Sequence, residues 1–146
     1  MSNPNEQLKM KAHLQIHLND ELVRDIPNLV VTAGKGFVAS RMIGTSAGVM
    51  SHMEVGTGTT DPAAGDTALQ SAVSGSRTAF TSSASVSGAV VTYVTTFAAG
   101  TGTGALTEAG IFNASSSGTM LCRTEFSVVN KGASDSMTIT WTVTVS

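Results

Sequence analysis

Three histidines, one cysteine and a few carboxylates are the residues of this 146-residue chain best suited to chemistry. His13 and His17 stand four apart. On a helix that spacing would set two imidazoles over one ion. The surrounding residues alternate, however, with Met10, Ala12, Leu14, Ile16 and Leu18 set against Lys9, Lys11, His13, Gln15 and His17. Period two belongs to a strand, where the two rings share a face but lie about 13 Å apart. A metal ligand sits about 2 Å from its ion, so one ion cannot take both. A wet strand face is the better reading, and nothing in the sequence joins His52 to either ring.

The carboxylates Glu54, Glu108 and Glu125 fall in strand-like runs. Two of them could work as general acid and base. Each reads more simply as a solvated residue or an arginine partner, and Glu125 shares a strand face with Arg123. Gly34-Lys35-Gly36 and Gly56-Thr57-Gly58-Thr59-Thr60 suggest phosphate loops. Neither holds the Gly-Lys-Ser/Thr that such a loop requires between a strand and a helix, so both read as flexible turns. Serine is too abundant for any one to mark a Ser-His-Asp set. Cys122 is the one cysteine, so no internal disulfide is possible, and its strand-like setting predicts a buried, inert thiol. The expectation is no enzyme: no catalytic residue, no cofactor, no metal site, and no hydrolase or transferase activity.

The elements that would carry these residues are mostly strands. The clearest is the run Ser136 to Ser146, in which Met137, Ile139, Trp141, Val143 and Val145 face one way and Thr138, Thr140, Thr142 and Thr144 the other. It predicts a strand roughly 33 Å long with one stripe in the core, including the only Trp. Lys9 to Leu18 predicts another strand. Leu22 to Ile26 predicts a short return strand ended by Pro27. Ala33 to Ile43 predicts the one convincing helix, capped by Thr32 and stopped by Gly44, with Phe37, Val38, Arg41 and Met42 on a shared face. Gly34 and Gly36 each weaken it by roughly 1 kcal/mol. Val49 to Val55 is a strand. After the loop Gly56 to Gly65, Asp66 is expected to cap a short helix through Val73. Arg77 to Val86 reads as extended, and Ala89 to Ala98 as a central strand. Leu106 to Asn113 and Met120 to Val129 form a hairpin across Ser115 to Gly118, and Asn130 to Asp135 turns into the last strand. Turn signals about every ten residues suit a sandwich or barrel.

Composition narrows the classes. The charged fraction is 12% and the net charge −2, while Ser, Thr and Gly exceed a third of the residues. The eight Lys and Arg are scattered, which disfavours nucleic-acid binding. Sparse charge also suits a surface covered by protein partners. Residues 1–7 are polar and predict a flexible arm preceding one domain over 8–146, with no signal peptide or transmembrane span.

Several stretches resemble, in matching order, a family of small structural proteins of tailed bacteriophage virions. They are Asn28-Leu29-Val30-Val31-Thr32-Ala33-Gly34-Lys35, Val55-Gly56-Thr57-Gly58-Thr59-Thr60 and Asp66-Thr67-Ala68-Leu69. Further on come Leu106-Thr107-Glu108-Ala109-Gly110-Ile111-Phe112-Asn113-Ala114, Gly118-Thr119-Met120-Leu121-Cys122-Arg123-Thr124 and Met137-Thr138-Ile139-Thr140-Trp141. The resemblance implies a non-enzymatic assembly role in the virion, after assembly in the host cytoplasm. Joined to the residue reading, it leads us to expect an all-β, jelly-roll-like β-sandwich with one short helix. The expected function is a capsid decoration (cement) protein, a homo-oligomer bound to the major capsid protein or other virion proteins, with neither nucleic acid nor membrane as partner. The alternatives are a neck, tail or tail-fibre component, or a carbohydrate-binding host-recognition module. Small size without a fibrous or coiled-coil repeat favours the first, and a glycan site would want more exposed aromatics than one Trp and one Tyr provide.

Overall fold

The computed structural model describes residues 8–44 and 48–146. The arm expected over residues 1–7 lies outside them, as does most of the loop expected from Thr45 to Gly48. The described residues are mostly β, with 52% of them in strands and one short helix. The elements are β1 (Met10–Leu18), β2 (Glu21–Val30), α1 (Thr32–Arg41), β3 (His52–Gly56), β4 (Thr78–Ala79), β5 (Ser82–Ser87), β6 (Val90–Phe97), β7 (Gly104–Phe112), β8 (Met120–Lys131) and β9 (Met137–Val145). All strands join one curled antiparallel sheet in the order β4-β3-β7-β8-β2-β1-β9-β6-β5.

The alternating strand β9 lies between β1 and β6, with Trp141 opposite both Leu14 and Tyr93. Ala12, Leu14 and Ile16 of β1 and Ile139, Trp141 and Val143 of β9 are buried in one core with Val55, Leu106, Ile111, Cys122 and Phe126 from the other side of the curl. The Thr face of β9 is half-buried, as the alternation predicts. Thr96 and Thr138 pair their hydroxyls across it at 2.9 Å.

Strand β2 makes the bend. It pairs with β1 from Glu21 to Asn28, but with β8 only at Leu29 and Val30. Below that point the seam opens, and Arg24 spans it by donating to the carbonyls of Ser127 (2.9 Å) and Val128 (2.6 Å). The opening explains why β2 runs past Pro27 instead of ending there. Pro27 pairs with His13 on one side and has no ladder partner on the other, so its missing N–H leaves no gap.

Two helix expectations need correction. Thr32 is the first helical residue rather than the cap; Val31 holds the cap position, with no side-chain hydrogen bond. Phe37 and Val38 do pack on the core, but Arg41 and Met42 are exposed, since the chain turns away at Met42, the C-cap. No helix forms from Asp66 to Val73; that stretch is an irregular loop whose hydrogen bonds go to distant residues. Strand β8 also continues to Lys131, past the turn expected from Asn130.

The helix glycines differ. A Cβ on Gly34 would stand within 3.0 Å of the Leu121 backbone, because α1 lies directly on β8; a Cβ on Gly36 meets nothing within 4 Å among the described residues. Gly34→Ala should therefore destabilise by about 1–3 kcal/mol through overpacking. Gly36→Ala should stabilise by roughly 0.5–1 kcal/mol through helix propensity. Thermal melts of both variants check this, and shifts of the same sign would contradict it.

Candidate functional site

Glu108 is fully buried, at 0% exposure, in the middle of β7. Its position is possible only because donors surround it. Oε1 accepts from the backbone N–H of Gln70 (2.9 Å) and from Nε of Arg123 (3.1 Å), and Nη2 of Arg123 lies 3.0 Å away. Oε2 accepts from the backbone N–H of Gly58 (2.8 Å) and Ser71 (2.7 Å). Arg123, 2% exposed on β8, also donates to Asp66 (3.0 Å) and to the Thr60 carbonyl (3.0 Å). Gln70 accepts from the N–H groups of Thr59 and Thr60 and donates to the Thr60 hydroxyl. Asp66 accepts from the Ala63 N–H.

The glycines belong to this knot. A Cβ on Gly56 would stand 2.6 Å from Glu108 Oε2, and one on Gly58 2.5 Å. Gly56-Thr57-Gly58-Thr59-Thr60 is thus a loop shaped to lay its backbone on a carboxylate of its own chain rather than on a phosphate. With both oxygens occupied and no exposure, Glu108 has no lone pair to offer a substrate. What the arrangement does is fasten residues 56–71 across the outer face of β7 and β8.

The other candidates are scattered. His13 bonds Asp25 across the β1–β2 ladder, an exposed pair. His17 pairs in register with Leu22 instead. His52 accepts or donates through Nδ1 to Ser51 Oγ at 2.7 Å, a contact between chain neighbours. Glu54 is engaged by Arg77, whose guanidinium stacks 3.7 Å over the Phe112 ring and donates to the carbonyls of Ala114 and Ser117. Glu125 lies opposite Glu108 in the ladder, while Arg123 turns to Glu108 and Asp66. Cys122 is buried, and desolvation pushes its thiol pKa up. Burial likewise raises Tyr93 to about 12, with Cys122 adding to the shift. Lys131, almost fully buried, donates to the Ala98 carbonyl at 2.9 Å, and burial pulls its pKa down. Among the described residues no group of three or more His, Cys, Asp or Glu is placed to hold a metal ion. No described helix is long and apolar enough to cross a membrane.

Residue-by-residue reading missed the flank formed by β5 and β6. Residues 78–107 carry no Asp, Glu, Lys, Arg or His. Strand β5 is an edge strand of the sheet, all six residues are exposed, and Val86 is 69% exposed. Open edges are ordinarily guarded by charge, proline or cover. Among the described residues, one register irregularity between Ser82 and Ser85 is the guard the strand has. The charge-free run was readable from the sequence; its place at an edge was not.

Acid should weaken the fold in two steps. Burial first, and the Arg77 charge second, lower the pKa of His52 below 6.5. The unfolded chain therefore takes up a proton first as pH falls through the ordinary imidazole range, and stability declines. The hydrogen bond from His13 is the main cause lowering Asp25, and that from Asn19 the main cause lowering Asp135, both below 3.8. Their contribution is present above that value and lost as pH falls through the lower folded values. Urea midpoints at about pH 7.5, 5.5 and 3 follow both steps. His52→Gln should abolish the upper one, and an unchanged upper step would refute its assignment.

No protein-family model, curated protein or solved structure matches the chain.

Proposed function

We propose that this chain is a non-enzymatic virion structural protein, a capsid decoration protein that bridges subunits of a phage head. The observation that carries the proposal is the exposed, charge-free flank at β5. A surface without charge suits permanent cover by another protein, since interface centres are depleted in charge. An open strand can also extend its hydrogen-bond ladder onto a partner. The motif resemblance supports the same reading. Its Gly56–Thr60, Asp66–Leu69, Glu108 and Arg123 blocks, distant in sequence, meet in one knot that shapes the fold rather than a reaction. The finer architecture that goes with this reading is a jelly-roll-like sandwich, with β4-β3-β7-β8 as one wall and β2-β1-β9-β6-β5 as the other. The core shared between those walls supports it.

The partners on this reading are the major capsid protein and further copies of the chain, within the virion. Electron microscopy of particles carrying a tagged copy tests the role. Decoration repeated over the whole head is the expected result. A label confined to one vertex or to the tail would replace cement with a neck or tail component, and glycan binding by the isolated protein would favour host recognition.

A further inference from the structure

The two ends of the β1–β2 hairpin carry opposite charge. At one end, α1 and the start of β1 enclose a groove of about 530 Å³. Leu8, Val38 and Met42 give it an apolar lining, with Leu8 80% and Met42 86% exposed. Lys9, Lys11 and Lys35 stand around it, and none has an ion-pair partner among the described residues. At the other end the β1–β2 turn presents Asp20 and Glu21, both exposed, beside Leu22, 47% exposed. Asp135 adds a third carboxylate there, tied to the turn by the side chain of Asn19 (2.9 Å). The nearby cation, Lys131, is turned inward to the Ala98 carbonyl.

We infer that the lysine-rimmed groove of one copy receives the acidic, leucine-bearing tip of a second copy. The charges and the apolar surfaces match. The nine residues of β1 separate the two ends by about 27 Å. A contact of one end with the same end of another copy would set like charges together, so groove meets tip, and the inferred contact runs head-to-tail from copy to copy. This deepens the assembly reading and rests on it, naming the surfaces by which copies join while the β5 flank faces the shell.

Sedimentation velocity on the full chain, over a concentration series at low and high salt, tests the contact. The expected result is growth beyond dimers at low salt, suppressed at high salt as the charges are screened. Lys9→Glu/Lys11→Glu/Lys35→Glu and Asp20→Lys/Glu21→Lys should each weaken self-association at least about tenfold. Mixing the two variants should restore it, because each then offers the other its complement. Melting temperatures close to that of the unchanged chain establish that both variants fold. A monomer under all conditions would overturn the inference. So would assembly that stops at two copies, is indifferent to salt and reversal, or appears only after residues 1–7 are removed. Absence of self-association in the unchanged chain, with decoration intact, would overturn this contact alone. Self-association without particle binding would overturn the decoration reading instead.

Discussion

Arg123→Met is expected to cost about 3–5 kcal/mol, the range for removing one partner of a buried ion pair. The variant leaves Glu108 at 0% exposure with its charge uncompensated. The more telling variant is the double replacement Glu108→Leu/Arg123→Met. For an isolated buried pair, apolar replacement of both partners is often neutral or stabilising. Here three backbone N–H groups, of Gly58, Gln70 and Ser71, end on the carboxylate. Each would be stranded at about 1–3 kcal/mol. The double variant should therefore be no more stable than Arg123→Met alone. Urea denaturation of the two variants decides it, and recovery to the level of the unchanged chain would show that the backbone bonds contribute little.

Trp141→Ala should also cost about 3–5 kcal/mol, through lost burial and the cavity left behind. Trp141 is fully buried between Leu14 and Tyr93 in the ladder, and its indole N–H finds no hydrogen-bond partner among the described residues. Trp141→Phe keeps most of the packing and removes that unpaired donor, so it should cost under about 2 kcal/mol. Thr140→Ala, on the half-buried face of the same strand, should cost under about 1 kcal/mol. Denaturant midpoints rank the three. Equal losses at Trp141 and Thr140 would mean that both faces of β9 are packed alike.

What the sequence made legible was local. The alternation in β1 and β9 identified both strands and the face that holds Leu14, Ile16, Ile139 and Trp141. The hairpin of β7 and β8 was equally plain. What was not legible depends on partners far along the chain. Asp66 has the residue type of a helix cap, but it is held by Ala63 and Arg123, and the Gln70 and Ser71 N–H groups are claimed by Glu108. A helix there would have needed those same donors. Spacing along one strand suggested Glu125 for Arg123, while the register of β7 on β8 supplied Glu108. One available signal was an acidic residue placed between Leu106 and Gly110, in a strand otherwise short of charge. Register comes from pairing, and a single chain's residue pattern does not display it.

The position of β9 also bears on how the protein is made. Its two neighbours, β1 and β6, both precede it in the chain, and it pairs with each along most of its length. A nascent chain synthesised as far as residue 131 would have every other strand and the complete Glu108 knot. It would still carry two facing strands with unpaired edges and no Trp141 to fill the core between them. During translation such an intermediate is open to pairing with the wrong chain. Emergence of β9 from the ribosome, rather than formation of any local element, is then the event that closes the sheet.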